Sequence, residues 1–241
     1  KHINFIVTFW GEQYRELFLK LCLPSLCSDK NIQSVSSGAG HKIIVVCSDR
    51  DWNFVRKCPL MDYASEYFEF VHIQHLMPAP DWLLEFWEAY GKYVCGHERR
   101  LLSPEDLLLS NSVDKIIRVA KKVNFSLSID RYALSLYGMS KGHGAGIKFA
   151  HRIGGYVSFL APDMVLSDGS ITTLIQHAKE EKTVVVAPAL RFSNAAILEL
   201  ERKGMLKENK PANLPVKNLV STCFKYLHPE TEDFDFDSDY F

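Results

Sequence analysis

A carboxylate carried to the end of an apolar run is the first feature of this chain that could do chemistry. Phe159-Leu160-Ala161-Pro162-Asp163 has that form, and Ser167-Asp168-Gly169-Ser170 follows it. Asp163 could coordinate magnesium or manganese beside a diphosphate, because these hard cations prefer carboxylate and phosphate oxygens. A Pro-Asp pair is also ordinary turn chemistry, and Asp168 with Ser170 reads as a helix N-cap. A second candidate is Met139-Ser140-Lys141-Gly142-His143-Gly144-Ala145-Gly146. Its glycines would let backbone approach a phosphate, with Lys141 and His143 supplying charge, or they mark a flexible turn before a helix. The spacing fits neither the Walker A nor the full dinucleotide pattern.

Three further groups carry weaker signals. Thr8, Phe9 and Trp10, next to Gly11 and Glu12, could floor a nucleobase pocket or pack at the edge of a core. Asp49, with Asp51 nearby, lies where a carboxylate past a second strand can receive a ribose hydroxyl; the alternative is a helix cap. His228 could approach a metal or a diphosphate. The run Asp233, Asp235, Asp237, Asp239 reads as a solvated acidic and aromatic tail over 231–241, leading into a further C-terminal part. No Ser-His-Asp spacing and no reactive-cysteine context is present.

These residues need elements to position them. Ile3 to Phe9 and the non-alternating Lys42 to Cys47 read as buried strands, and Phe68 to Ile73 as a third, alternating one. Gly155 to Leu160 is a fourth strand, and Thr183 to Ala187 a fifth, buried one. Helical spacing follows Gly11, with Tyr14, Leu17, Phe18 and Leu21 on one side and Pro24 near the end. Ser48-Asp49 opens a helix through Arg56. Further helices are expected over 170–178, over 195–203 with Gly204 closing it, and over 217–227. Residues 81–138 read as a helical insert. Strands separated by helices imply parallel βαβ units in one domain over 1–230. In such sheets ligands bind beyond the carboxyl ends of the strands. Here those ends are Thr8-Phe9-Trp10, Cys47-Ser48-Asp49, Ala161-Pro162-Asp163 and Ala187-Pro188-Ala189.

Composition narrows the function classes. The 241 residues are 47% hydrophobic, enough for a packed core. The net charge of −1, from 28 basic and 29 acidic side chains, provides no field for a nucleic-acid backbone. No apolar run reaches the roughly 18–20 residues of a membrane span. The six cysteines form no CxxC pair, so they read as buried free thiols in a reducing compartment, and a cytoplasmic location is expected. Association with a membrane surface remains compatible.

The chain resembles glycosyltransferases of the A-type (nucleotide-diphospho-sugar transferase) fold. INFIVTFWGEQYRELFLKLCLPSL is similar to their opening strand, turn and helix. GIKFAHRIGGYVSFLAPDMVLSDGSI resembles their central block, where a strand ends in an acidic metal-binding motif, and VVVAPALRF looks like the strand that borders the acceptor site. The resemblance implies a Rossmann-like, mostly parallel sheet flanked by helices, a nucleoside-diphosphate-sugar donor and a glycan or glycoconjugate acceptor. It implies donor contacts at Thr8, Phe9, Trp10 and Asp49 and a divalent cation near Asp163; the residue types themselves add Lys141 and Arg191 as donor contacts, Asp163 and His143 as catalytic groups, and His228 as a further metal ligand. Ala161 stands where the family carries its first aspartate, which weakens the expected manganese or magnesium site. A nucleotidyl- or methyltransferase on a similar sheet, and a catalytically degenerate interaction module, are the alternative readings.

Overall fold

Strands β1 (Ile3–Thr8), β2 (Lys42–Cys47), β3 (Glu69–Gln74) and β4 (Tyr156–Leu160) form one all-parallel sheet in the order β3-β2-β1-β4. The computed structural model describes residues 2–33, 35, 38–75, 127–181, 184–185 and 191–228, with side chains in its longest helix from residue 138 onward. Register runs from Asn4 beside Lys42 to Thr8 beside Val46, and from Ile3 beside Tyr156 to Val7 beside Leu160. β1 and β2 are buried almost throughout, which is why they read as continuous apolar runs. β3 is half-buried along its middle and not alternately buried and exposed; among the described residues it pairs with β2 alone.

Helices cover both faces. On one lie α1 (Gly11–Leu17), α2 (Leu23–Leu26), α3 (Asp29–Ile32), α4 (Asp49–Val55) and α5 (Pro59–Ser65). Phe5, Val7, Ile43 and Val45 meet Phe18, Leu23, Leu26, Val55 and Leu60 there. Each such fully buried side chain contributes roughly 2 kcal/mol. A π-helical turn, Phe18–Cys22, joins α1 to α2, and Leu23 N–H bonds the Phe18 carbonyl five residues back. Pro24 explains it: its ring would clash with the Lys20 carbonyl of a regular helix, and the wider turn makes room.

The opposite face is covered by α6 (Leu127–Ile153). Here the expected glycine loop is corrected, because Gly142, Gly144 and Gly146 are helical. Gly138, Gly142, Gly146 and Ala150 recur every fourth residue and are buried. A Cβ on Gly142 would lie 2.2 Å from Thr8 Cγ2, and one on Gly146 would lie 2.6 Å from Ile6 Cγ2. The glycines therefore serve close helix–sheet packing, not phosphate approach.

After β4 come α7 (Ser170–Lys179), α8 (Asn194–Arg202) and α9 (Val216–Lys225). Ile171, Ile175 and Ala178 of α7 join the first core face as the sequence implied. Asp168 does not cap α7: the cap position is Gly169, at φ 87° with no side-chain bond. Asp168 instead accepts Leu214 N–H at 3.2 Å and returns its own N–H to the Leu214 carbonyl at 2.9 Å. Val184 and Val185, expected in a buried fifth strand, are 77% and 43% exposed and lie outside any strand. The rest of that run, the tail and most of the proposed insert lie outside the described residues. No helix among the described residues is long and apolar enough to cross a membrane.

Candidate functional site

The strand order fixes where a ligand would sit. From β1 the chain steps outward to β2 and β3, then returns across to β4 on the other side of β1. In open parallel sheets such a reversal is where ligands bind, beyond the carboxyl ends of the strands on either side of it, here β1 and β4. Leu160 lies beside Val7, so Ala161 leaves the sheet level with Thr8. A turn closed by Met164 N–H on the Ala161 carbonyl, at 3.0 Å, then presents an exposed Asp163 over a buried Pro162. No hydrogen bond or ion pair holds Asp163 among the described residues. Its charge reaches Cys22 in the π-helical turn: that thiol is pushed up first by burial, then by Cys27 and Asp163.

Along β1 the candidates divide. Phe9 is 1% exposed and stacks on Phe18 at 5.3 Å, so it belongs to the core. Thr8 is 2% exposed beneath Gly142, and its Oγ1 has no hydrogen-bond partner among the described residues. Trp10 is partly exposed and stands 6.4 Å from the ring of Tyr14, which the sequence grouped with Leu17, Phe18 and Leu21 but which is exposed where Phe18 and Leu21 are buried.

The tips of β1 and β2 are joined by Asp51, named in the sequence only as a neighbour of Asp49. This buried carboxylate accepts Gly11 N–H at 3.1 Å and Ser48 O–H at 2.8 Å through Oδ2. Its Oδ1 meets Arg15 Nη1 at 3.3 Å. Ser48 returns the favour as N-cap, accepting Asp51 N–H at 3.1 Å. Arg15 is buried too, with its guanidinium 4.0 Å over the Phe54 ring and Glu12 and Glu16 at 3.6 Å. The Ser-x-x-Asp spacing is a capping-box signal legible in sequence; the partners 36 and 40 residues away are not.

Asp49 is exposed over the ends of β2 and β3. It accepts Gln74 Nε2–H at 2.6 Å and lies 4.0 Å from His72 Nδ1. His72 stacks flat on Trp52 at 4.9 Å and donates to the Cys47 carbonyl at 3.1 Å. Burial pushes the Cys47 thiol up to about 12.

On the α6 side, His143 is half-buried, 4.9 Å from the Phe159 ring of β4. Burial lowers its pKa, which favours the neutral imidazole. Lys141 sits two residues before it on the same helix. Arg191 and His228 are brought together by backbone: His228 N–H bonds the Arg191 carbonyl at 3.2 Å, beside the bridge of Phe192 to Leu227. No three His, Cys, Asp or Glu side chains gather as a metal-binding group among the described residues. Ala161 brings only a methyl group to the position of the expected first acid. Cys22, Cys27, Cys47, Cys58 and Cys223 are free and buried. A cavity of about 210 Å3 lined by Asp29, Lys30, Asp168, Pro211, Ala212 and Asn213 lies beside α3, away from the strand tips.

Comparison of the chain with protein families, with curated proteins and with solved structures finds no match in any of the three.

Proposed function

We propose that the chain is a sugar-nucleotide-dependent glycosyltransferase of the A-type fold, acting in the crevice between β1 and β4. The observation that supports this best is the placement of an exposed Asp163 at the tip of β4, level with the end of β1, at the reversal of a parallel sheet. The donor's base and ribose lie over the ends of β1 and β2, toward Trp10 and Asp49. Its diphosphate and sugar lie toward Asp163. Transfer breaks the bond from the anomeric carbon to the diphosphate and forms one to the acceptor oxygen. The acceptor's proton passes to a base, and the nucleoside diphosphate leaves. His143 suits that base, since its neutral imidazole is held near β4 by Phe159. Lys141 or Arg191 would offset the charge that develops on the leaving group. A bound magnesium or manganese would neutralise diphosphate charge; Asp163 would give it one carboxylate, with phosphate and water as the other ligands.

Thermal unfolding in the presence of UDP, GDP and CDP, with and without manganese, tests this reading. A ligand at 100 times its Kd stabilises the native state by about 2.7 kcal/mol, so at least one nucleotide is expected to raise Tm by several degrees. No shift with any of them would contradict it. Ala161 favours one second reading, a degenerate module. Nucleotide binding with no donor turnover, together with an inert Asp163→Ala change, would select it.

A further inference from the structure

We infer that Asp51 is a positioning residue of the nucleotide site, fixing the turn that presents Trp10 and Tyr14 as a stacking surface for the base. The inference rests on the nucleotide reading above. Trp10 occupies the cap position before α1 in an extended conformation, and Gly11 turns the chain at φ 79°. A left-handed residue in a turn this short makes the direction of Trp10 sensitive to where the Gly11 amide is anchored. That anchor is Asp51 Oδ2, at 3.1 Å. The carboxylate is itself held from two further directions, by the Ser48 hydroxyl at the tip of β2 and by Arg15 on α1, while the Asp51 backbone N–H makes the helix-cap bond to Ser48. At 4% exposure it is screened from water, so it acts through these bonds and not by touching a ligand. It thereby sets the spacing between the β1 turn, with Trp10, and the β2 turn, with Asp49. Trp10 and Tyr14, partly exposed and tilted by 50°, offer ring faces of the kind a planar base stacks on.

The test uses the full chain labelled with 5-fluorotryptophan, whose four resonances are assigned by single Trp→Phe changes. In Asp51→Ala the Trp10 resonance is expected to move toward its unfolded position while the chain remains folded by circular dichroism. The Kd for UDP, GDP or CDP, whichever binds the unmutated chain, is expected to rise roughly tenfold or more, as loss of a charge-assisted bond implies. Asp51→Asn, whose amide oxygen can still accept Gly11 N–H, is expected to stay within about threefold and to keep the Trp10 resonance in place. If Asp51→Ala does not fold, the Asn variant decides: a displaced Trp10 resonance overturns the role given to the Gly11 anchor. An unmoved Trp10 resonance and unchanged affinity in Asp51→Ala overturn the inference as a whole. If the unmutated chain binds no nucleotide, the parent reading fails by itself, and the Trp10 resonance still shows whether Asp51 sets the turn.

Discussion

The tips of β1 and β2 and the tip of β4 lie side by side at one edge of the sheet, yet they are built in opposite ways. At the first pair, Asp51 bonds Ser48, Arg15 and the Gly11 amide, and both Asp51 and Arg15 are buried. At the other, Asp163 is exposed with no hydrogen bond or ion pair among the described residues. A buried ion pair repays its desolvation only when its geometry is well satisfied. The first cluster is therefore a frame, whereas the carboxylate left unsatisfied at the second is where a ligand can still gain. The most conspicuous acid in the chemistry and the most important one in the architecture are thus different residues.

Stability measurements sharpen that contrast. Asp51→Ala leaves the buried Arg15 short of its partner and is expected to cost about 3 kcal/mol in urea unfolding. Asp163→Ala is expected to change stability by less than about 0.5 kcal/mol while abolishing donor turnover. Equal costs for the two would erase the distinction. On the α6 face, Gly142→Ala drives a methyl group into Thr8 and is expected to cost about 1 kcal/mol after the gain in helix propensity. Gly144→Ala meets nothing within 4 Å and is expected to stabilise by about 0.5–1 kcal/mol. Opposite signs at positions two residues apart would be read by thermal unfolding.

The smallest effect is expected at the amino end of the same strand pair, where His41 Nδ1 accepts Ile3 N–H at 3.0 Å. Burial lowers its pKa below the ordinary 6.5, with His2, the chain's amino terminus and Lys179 acting in the same direction. The unfolded chain therefore binds the extra proton first. Stability from this group is complete above about pH 6.5 and declines as pH falls below it. Urea midpoints across pH 5 to 8 check this, and His41→Asn is expected to flatten the slope.

The strands at 3–8 and 42–47 were legible because burial on both faces leaves a continuous apolar signature, and the strand at 156–160 from a short run rich in aromatic and β-branched residues after a glycine pair, although Val157 and Phe159 are exposed. Ser48 was legible as a cap because capping is local. The glycines of α6 were not: a glycine every fourth residue lowers helix propensity, and only contact with Thr8 and Ile6 shows why it is tolerated. Asp168 misled for a related reason, since a cap and a link to Leu214 use the same side chain, and the link spans 46 residues. Of the candidate site, Asp163, Trp10 and Asp49 were found from position along the strands. Phe9 was separated from Trp10 only by burial, and Asp51 emerged only from contacts distant in sequence.

The most direct measurement is a crystal structure of the chain grown or soaked with the nucleoside diphosphate that binds in titration. The account expects the base beside Trp10 and the diphosphate between the tips of β1 and β4, within reach of Asp163. A nucleotide bound away from those tips, with Asp163 facing only solvent, would contradict it.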